Sequence, residues 1–363
     1  MTREDDLHNQ ERAWATPDSD IDRGTIFHSF EDDDWDSEIS DQAVPDSREV
    51  DAEQLLEQGI QYYQSGEFET AMRLFQRALA IYRSLQNRQG EAKALGNWGL
   101  TYYALGDYER AIQCYEQWLA IARELEDRRA EAQVLGNLGN ACRHASDYPR
   151  AIAYQQQSLA VARQLGDLRV ELAALNNLGL AYKALGETTK AVECQQQSIT
   201  LARELKDAKA ESQILKNLGN IHYALGEYSQ ALEYYEQRLA IARSLQDLHA
   251  ENQVLRNLGN ACYALKDYER AVDYYNQRLA IARSLQDRRI EIQVLGSLGV
   301  AYDAMTDYTQ AIDCYEQRLA IARELNDRQV EGQVLGSLKV ACYALGDYAR
   351  VMKYSEQRST IVE

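Results

Sequence analysis

A forty-residue frame can be laid down eight times between residues 52 and 363 without a gap. Within it Gly recurs at 59, 99, 139, 179, 219, 259 and 299, and Ala at 71, 111, 151, 191, 231, 271 and 311. A fixed period of this length restricts the chain to a stacked array, in which each unit buries its apolar face only against its neighbours. In the copy at 251–290, Leu255, Leu258, Cys262 and Leu265 fall at helical spacing, and so do Tyr268, Ala271, Tyr275 and Leu279. Two helices therefore fit in each period. The break between them is Lys266-Asp267 here and Gly-Asp or Gly-Glu in most other copies. Gly suits the C′ position of the first helix, and Asp the N-cap of the second. A second Asp, at 127, 167, 207, 247, 287 and 327, can cap the first helix of the next unit. The small residues of the Gly and Ala columns let the two helices cross closely.

The units run 52–91, 92–131, 132–171, 172–211, 212–251, 252–291, 292–331 and 332–363, making one array over 51–363. Glu53, Gln54, Glu57 and Gln58 give the first unit a polar first helix, as an outward-facing cap requires. The last unit departs from the pattern at Lys339, Val351 and Ser355.

Charge divides the chain. The formal net charge is −18, and residues 1–50 hold 16 Asp or Glu against 4 Arg. Low hydrophobicity with such charge predicts a disordered acidic tail over 1–50. Its one unusual stretch, 24–38, sets Phe27, Phe30 and Trp35 among carboxylates. That stretch reads either as a solvated linker or as a short recognition segment. An acidic protein is a poor partner for nucleic acid, whose phosphates demand Lys and Arg. No apolar run is long enough to span a membrane, and no secretory signal opens the chain, so the expectation is a cytoplasmic protein without membrane insertion. Cys142, Cys262 and Cys342 share one column and Cys114, Cys194 and Cys314 another, without Cys-x-x-Cys spacing, which suits reduced structural thiols.

The columns Leu258-Gly259, Tyr or Cys at 262, Ala271 and Tyr275 resemble the tetratricopeptide repeat (TPR) pattern W-x2-L-G-x2-Y, A-x3-F, P. Leu stands in the Trp column, the closing Pro is missing, and the period is 40 rather than 34. This longer form looks like the TPR arrays of Partner-of-Inscuteable adaptors and of many bacterial proteins. The resemblance implies an all-α fold, a right-handed α-solenoid of eight hairpins whose first helices line a concave groove.

Counting residue 252 as position 1, positions 2, 6, 9 and 13 of the first helix form a stripe away from the apolar one. Position 6 reads Asn97, Asn137, Asn177, Asn217 and Asn257, and position 9 adds Asn140, Asn220 and Asn260. Lys93 sits at position 2, while positions 5 and 12 bring Arg143, Lys183, Lys216 and Arg256, with Tyr103, Tyr223, Tyr263 and Tyr343. Asn in a helix is not chosen for propensity, and its amide offers the donor and acceptor that an extended peptide backbone needs. The alternative is that position 6 carries Asn as an inherited consensus feature that bonds to the neighbouring helix. Over repeats two to six these inner positions are basic where they are charged, which favours a ligand with carboxylates. Arg238, Arg278, Arg318 and Arg358 lie on the second helix, where pairing between repeats is the expected role.

His8, His28, His144, His222 and His249 form no metal spacing, and no phosphate loop or nucleophile elbow occurs, so neither catalysis nor a cofactor is expected. The sequence thus points to an adaptor or scaffold, or an assembly factor, that holds an extended and acidic segment of another protein. A rival reading is a regulatory sensor whose own tail binds intramolecularly and controls access to the groove.

Overall fold

The computed structural model describes residues 47–362, and all regular structure among them is helical. The helices form two compact units, divided after Leu205.

In the first unit α1 (Ser47–Gln64) pairs with α2 (Phe68–Ser84), α3 (Arg88–Ala104) with α4 (Tyr108–Glu124), α5 (Arg128–His144) with α6 (Tyr148–Leu165), and α7 (Leu168–Leu185) with α8 (Thr188–Glu204). Each helix packs on the next, and the first helices also touch one another, α1 on α3 and α5 on α7. In the second unit α9 (Ala208–Ala224) pairs with α10 (Tyr228–Ser244), α11 (Leu248–Ala264) with α12 (Tyr268–Ser284), α13 (Arg288–Ala304) with α14 (Tyr308–Glu324), and α15 (Arg328–Leu345) with α16 (Tyr348–Val362). Consecutive helices again pack in turn. This is the helix-pair packing of a TPR solenoid.

Two boundaries differ from those expected of the sequence. Helix α1 begins at Ser47, so residues 47–50, expected to be tail, are helical. From α3 onward the first helices start four residues before the chosen frame, at the residue after a capping Asp, or after Asn87 for α3. The Oδ1 of Asp127 accepts from the Ala130 amide at 2.9 Å, and that of Asp287 from Ile290 at the same distance. Glu67, Glu187 and Glu227 stand at the same place before second helices without making a side-chain cap. Their extra methylene carries the carboxylate past the backbone amide that the shorter Asp reaches.

The Gly column answers to a ring rather than to the Ala column. A Cβ on Gly259 would lie 2.3 Å from Cε1 of Tyr275, and one on Gly299 would lie 2.2 Å from that of Tyr315. Phe75, Tyr115, Tyr235, Tyr275 and Tyr315 are all buried against this column. In the third and fourth repeats Gln155 and Gln195 replace the ring, and each donates its amide to a backbone carbonyl, of Gly136 at 2.8 Å and Asn176 at 3.0 Å. This satisfies the NH2 of each buried amide, while the Oε1 of each is buried without a partner. Glu53, Gln54, Glu57 and Gln58 of α1 are not buried, as their polarity suggested.

A second column couples neighbouring repeats. Arg283 donates through Nε to Glu291 at 2.8 Å and through Nη2 to Gln317 at 2.8 Å, joining α12 to α13 and α14. The same triad recurs as Arg123, Glu131 and Gln157, and as Arg323, Glu331 and Gln357. The six cysteines are free, and burial pushes the Cys114 thiol up to about 12 and Cys262 to about 11.

Candidate peptide-binding surface

The candidate stripe runs along the first helices, and its character differs between the units. In the first unit Asn97, Asn137, Asn140, Asn177 and Tyr103 are buried, with Asn137 3% exposed and Asn177 1%. Lys93 and Arg143 are half-buried, and Lys183 is exposed. Asn97 turns its amide back on its own helix, donating to the Lys93 carbonyl at 2.9 Å. Tyr103 meets Tyr108 and His144 edge-on, each at 5.4 Å between ring centroids, while Tyr108 stacks on His144 at 5.1 Å. Arg143 Nη2 stands 2.9 Å from His144 Nε2, so cation and aromatic cluster share one edge of the stripe.

In the second unit Lys216, Asn220, Tyr223, Arg256, Asn257, Asn260 and Tyr263 are half-buried, and Asn217 is buried, its Oδ1 accepting from Gln213 at 3.4 Å. Helices α9 and α11 thus present cation, amide and phenol together, one turn after another. The further aromatic contacts are Tyr223 with Tyr228 and Tyr263 with Tyr268, each at 5.2 Å. Tyr343 is 65% exposed and forms an edge contact with Tyr348.

Position 9 is held from behind, a feature the sequence reading assigned to no particular residue. Tyr235 donates its hydroxyl to Oδ1 of Asn220 at 2.7 Å, and Tyr275 donates to Oδ1 of Asn260 at 2.8 Å. In the next repeat, where Val300 fills position 9, Tyr315 turns to Asp303 at 2.9 Å. The available signal was the pairing of a Tyr hydroxyl with an Asn at position 9 in the same repeat, which occurs at Tyr235 with Asn220 and Tyr275 with Asn260, whereas Tyr115 stands opposite Leu100.

The arginines of the second helices reach between the first helices. Arg278 donates through Nε to Asn252 Oδ1 at 2.7 Å and through Nη2 to Gln293 at 3.4 Å, so one guanidinium is flanked by α11 and α13. Arg238 donates to Gln253 at 3.2 Å. These are the contacts between repeats that the column suggested. Arg358 packs beside Gly336 instead. The pocket lined by Arg123, Glu126, Arg128 and Glu131, about 420 Å³, lies at the Arg–Glu coupling of repeats and not on the stripe.

Among the described residues no cluster of three or more His, Cys, Asp or Glu could hold a metal ion. No helix among them is long and apolar enough to cross a membrane.

A sequence profile described as tetratricopeptide repeat matches residues 90–164, 170–244 and 250–324, and a second with the same description matches 59–85. No curated protein matches. Among solved structures, the signal transduction ATPase with a tetratricopeptide repeat sensor from Pyrococcus horikoshii superposes with a TM-score of 0.62 at 16% identity, over 86% of this chain. This chain spans only 47% of that protein. Aspartyl phosphate phosphatase F from Bacillus subtilis gives a TM-score of 0.55 at 12% identity, covering 89% of this chain and 85% of that one. The quorum sensor NprR from B. thuringiensis gives 0.54 at 15%, covering 88% and 89%. At these identities the likeness is one of fold.

Proposed function

The chain belongs to the tetratricopeptide repeat family, and from that premise we propose that it is a peptide-binding adaptor that holds an extended, carboxylate-bearing segment of a partner protein along its first helices. The observation that carries this reading is the half-buried run of Lys216, Arg256, Asn257 and Tyr263 on α9 and α11. An amide can bond to the backbone of almost any extended chain, while the cations select among side chains. Lys93, Arg143 and Lys183 extend the same chemistry to the first unit. Pull-down from a lysate with the Asn217→Ala/Asn257→Ala double variant as the negative control tests the reading. Capture that persists in the double variant would remove the amide ladder from the binding surface.

A second reading is a sensor in which the acidic tail occupies the same surface and controls access to it. Residues 24–38, GTIFHSFEDDDWDSE, combine aromatic anchors with clustered carboxylates, complementary to a basic and phenolic stripe. They lie outside the described residues, so this reading rests on charge and composition. A flexible chain of 50 residues has a root-mean-square reach of about 40 Å, and tethering supplies an effective concentration near the millimolar range. Deleting residues 1–46 distinguishes the two. An adaptor keeps its affinity for the captured partner, whereas a sensor binds the partner more tightly once the tail is gone.

A further inference from the structure

In the arginine column Arg318 differs from Arg278, the residue one repeat before it. Arg278 gives its Nε to Asn252 at the start of its repeat, but at the same place in the next repeat stands Ile292. The Nε of Arg318 is accordingly buried and has no hydrogen-bond partner. Among the described residues no carboxylate lies within ion-pair distance of this guanidinium. Asp327, the N-cap of α15, acts on it only through space. Burial pushes the Arg318 pKa down, and a guanidinium in that position still carries its charge. A guanidinium that is half-buried, with its Nε buried and unbonded, has lost part of its solvation without gaining a counter-ion, so the position favours an anion.

The residue that Arg318 packs against has no side chain to cover it. Position 5 of the first helix is Lys216 and Arg256 in the two preceding repeats, but it is Gly296 here. A Cβ on Gly296 would lie 3.0 Å from Cζ of Arg318, so the guanidinium packs against bare backbone at a notch in α13. Arg318 is only half-buried, whereas Arg278 is 4% exposed.

The fold does not need the charge. In the third and fourth repeats the same column holds Ser158 and Ser198, whose hydroxyls donate to the carbonyls of Ala132 at 2.8 Å and Leu172 at 3.2 Å. A serine closes that space with one neutral hydrogen bond and leaves no cation. The first unit therefore builds the same hairpins without an arginine there.

We infer that Arg318, half-buried and seated against Gly296, is a specificity-determining site that takes one Asp or Glu side chain of the bound segment. This rests on the peptide-holding reading and adds to it a position at which a carboxylate is read. A guanidinium offers paired donors to a carboxylate, which fixes direction as well as charge. It follows that the bound chain has a preferred register in the second unit.

The test pans a random dodecapeptide display library on the full chain, then measures a recovered acidic peptide by fluorescence anisotropy. Arg318→Gln should weaken that peptide about ten-fold, the effect of one charge-assisted contact. Gly296→Leu keeps the arginine but sets a Cβ 3.0 Å from its Cζ, so it displaces the guanidinium from α13 and should weaken binding similarly. Replacing each Asp or Glu of the peptide in turn by its amide completes a double-mutant cycle. One acidic position should lose about ten-fold on the unmodified chain and nothing on Arg318→Gln. Circular dichroism of both variants must match the unmodified chain, and Arg318→Ser, which copies the residue at 158, repeats the measurement if Arg318→Gln does not fold. Unchanged affinity, or an equal loss at every acidic position, would overturn the carboxylate site and leave the peptide-holding reading intact. Failure to recover any peptide would overturn that reading and this inference with it.

Discussion

The phenol of Tyr275 donates to Oδ1 of Asn260 across 2.8 Å, so a residue on the candidate binding stripe is also a fixed part of its own hairpin. Asn260 and Asn257 lie on one helix, yet they answer to different forces. Asn260→Ala removes the acceptor of a buried hydroxyl, at about 1–3 kcal/mol. Asn257→Ala changes a half-buried position that holds no such phenol, and the melting temperature should scarcely move. Adding Tyr275→Phe to Asn260→Ala should recover part of the loss, because removing both partners leaves nothing unsatisfied. Chemical denaturation of the three variants checks this. Equal stability of Asn257→Ala and Asn260→Ala would show that the hydroxyl contributes nothing.

Two glycines on first helices make opposite predictions. A Cβ on Gly259 would come within 2.3 Å of the Tyr275 ring, whereas a Cβ on Gly332 meets nothing within 4 Å. Gly259→Ala should destabilise by about 1–3 kcal/mol through overpacking. Gly332→Ala should instead stabilise by about 0.5–1 kcal/mol, since Ala loses less chain entropy in a helix. Thermal melts of the two single variants decide it, and a loss of stability in both would remove the steric explanation.

The repeat, its two helices and most of their caps were legible because each is a local matter of periodicity and short polar side chains. Asp127 and Asp287 cap where their position indicated. What local reading missed was contact across a hairpin. The Gly column was assigned to helix crossing in general, but its partner is a ring sixteen residues on, as Gly259 and Tyr275 show. The Asn column at position 9 was read as facing a ligand, while Asn220 and Asn260 each accept from a tyrosine of the second helix. A period reveals which residues repeat. It does not reveal which of two surfaces a polar side chain serves, because both roles ask for the same amide.

Acid should loosen the coupling between repeats. Glu291 is 4% exposed. Burial alone would raise its pKa, but hydrogen bonds from Arg283 and Arg288 outweigh that and leave it lowered. A carboxylate whose folded pKa is depressed contributes stability that is present above its unfolded pKa and is lost as pH falls through the folded value. Glu291→Gln should therefore cost about 1–2 kcal/mol at neutral pH, the arginines being half exposed and solvent-screened. The gap from the unmodified chain should narrow below about pH 4. Denaturation at stepped pH measures this, and a gap constant with pH would assign the loss to packing alone.

Several turns between repeats hold a side chain in the left-handed region, among them Gln246 at φ 54° and Gln286 at φ 55°. Gly166 fills the equivalent place once, at φ 68°. A residue with a Cβ is strained there, and Gly is not. Gln286→Gly should raise stability by about 0.5–1 kcal/mol, after the greater entropy of Gly in the unfolded chain is set against the relief. Replacing Gln286 by Ala keeps the strain and serves as the control. A melting temperature that falls with Gly would mean the glutamine makes a contact worth more than the strain.

Lys216 and Arg256 stand on α9 and α11 as half-buried cations beside Asn257 and Tyr263, and their charge makes the binding surface sensitive to salt. A separate peptide of residues 24–38 carries six carboxylates against no Lys or Arg, so its attraction to this stripe is mainly electrostatic. Exposed charges interact over a screening length of about 10 Å at 0.1 M salt and about 3 Å at 1 M. Binding of this peptide to a chain lacking residues 1–46 should therefore weaken steadily as salt rises. Lys216→Glu and Arg256→Glu should each weaken it at low salt, and by less at high salt, where the field is already screened. Isothermal titration at a series of salt concentrations separates this from an apolar mode carried by Phe27, Phe30 and Trp35, which would persist or strengthen as salt rises. Binding indifferent both to salt and to the two reversals would leave the aromatic side chains as the whole of the recognition and the cations as bystanders.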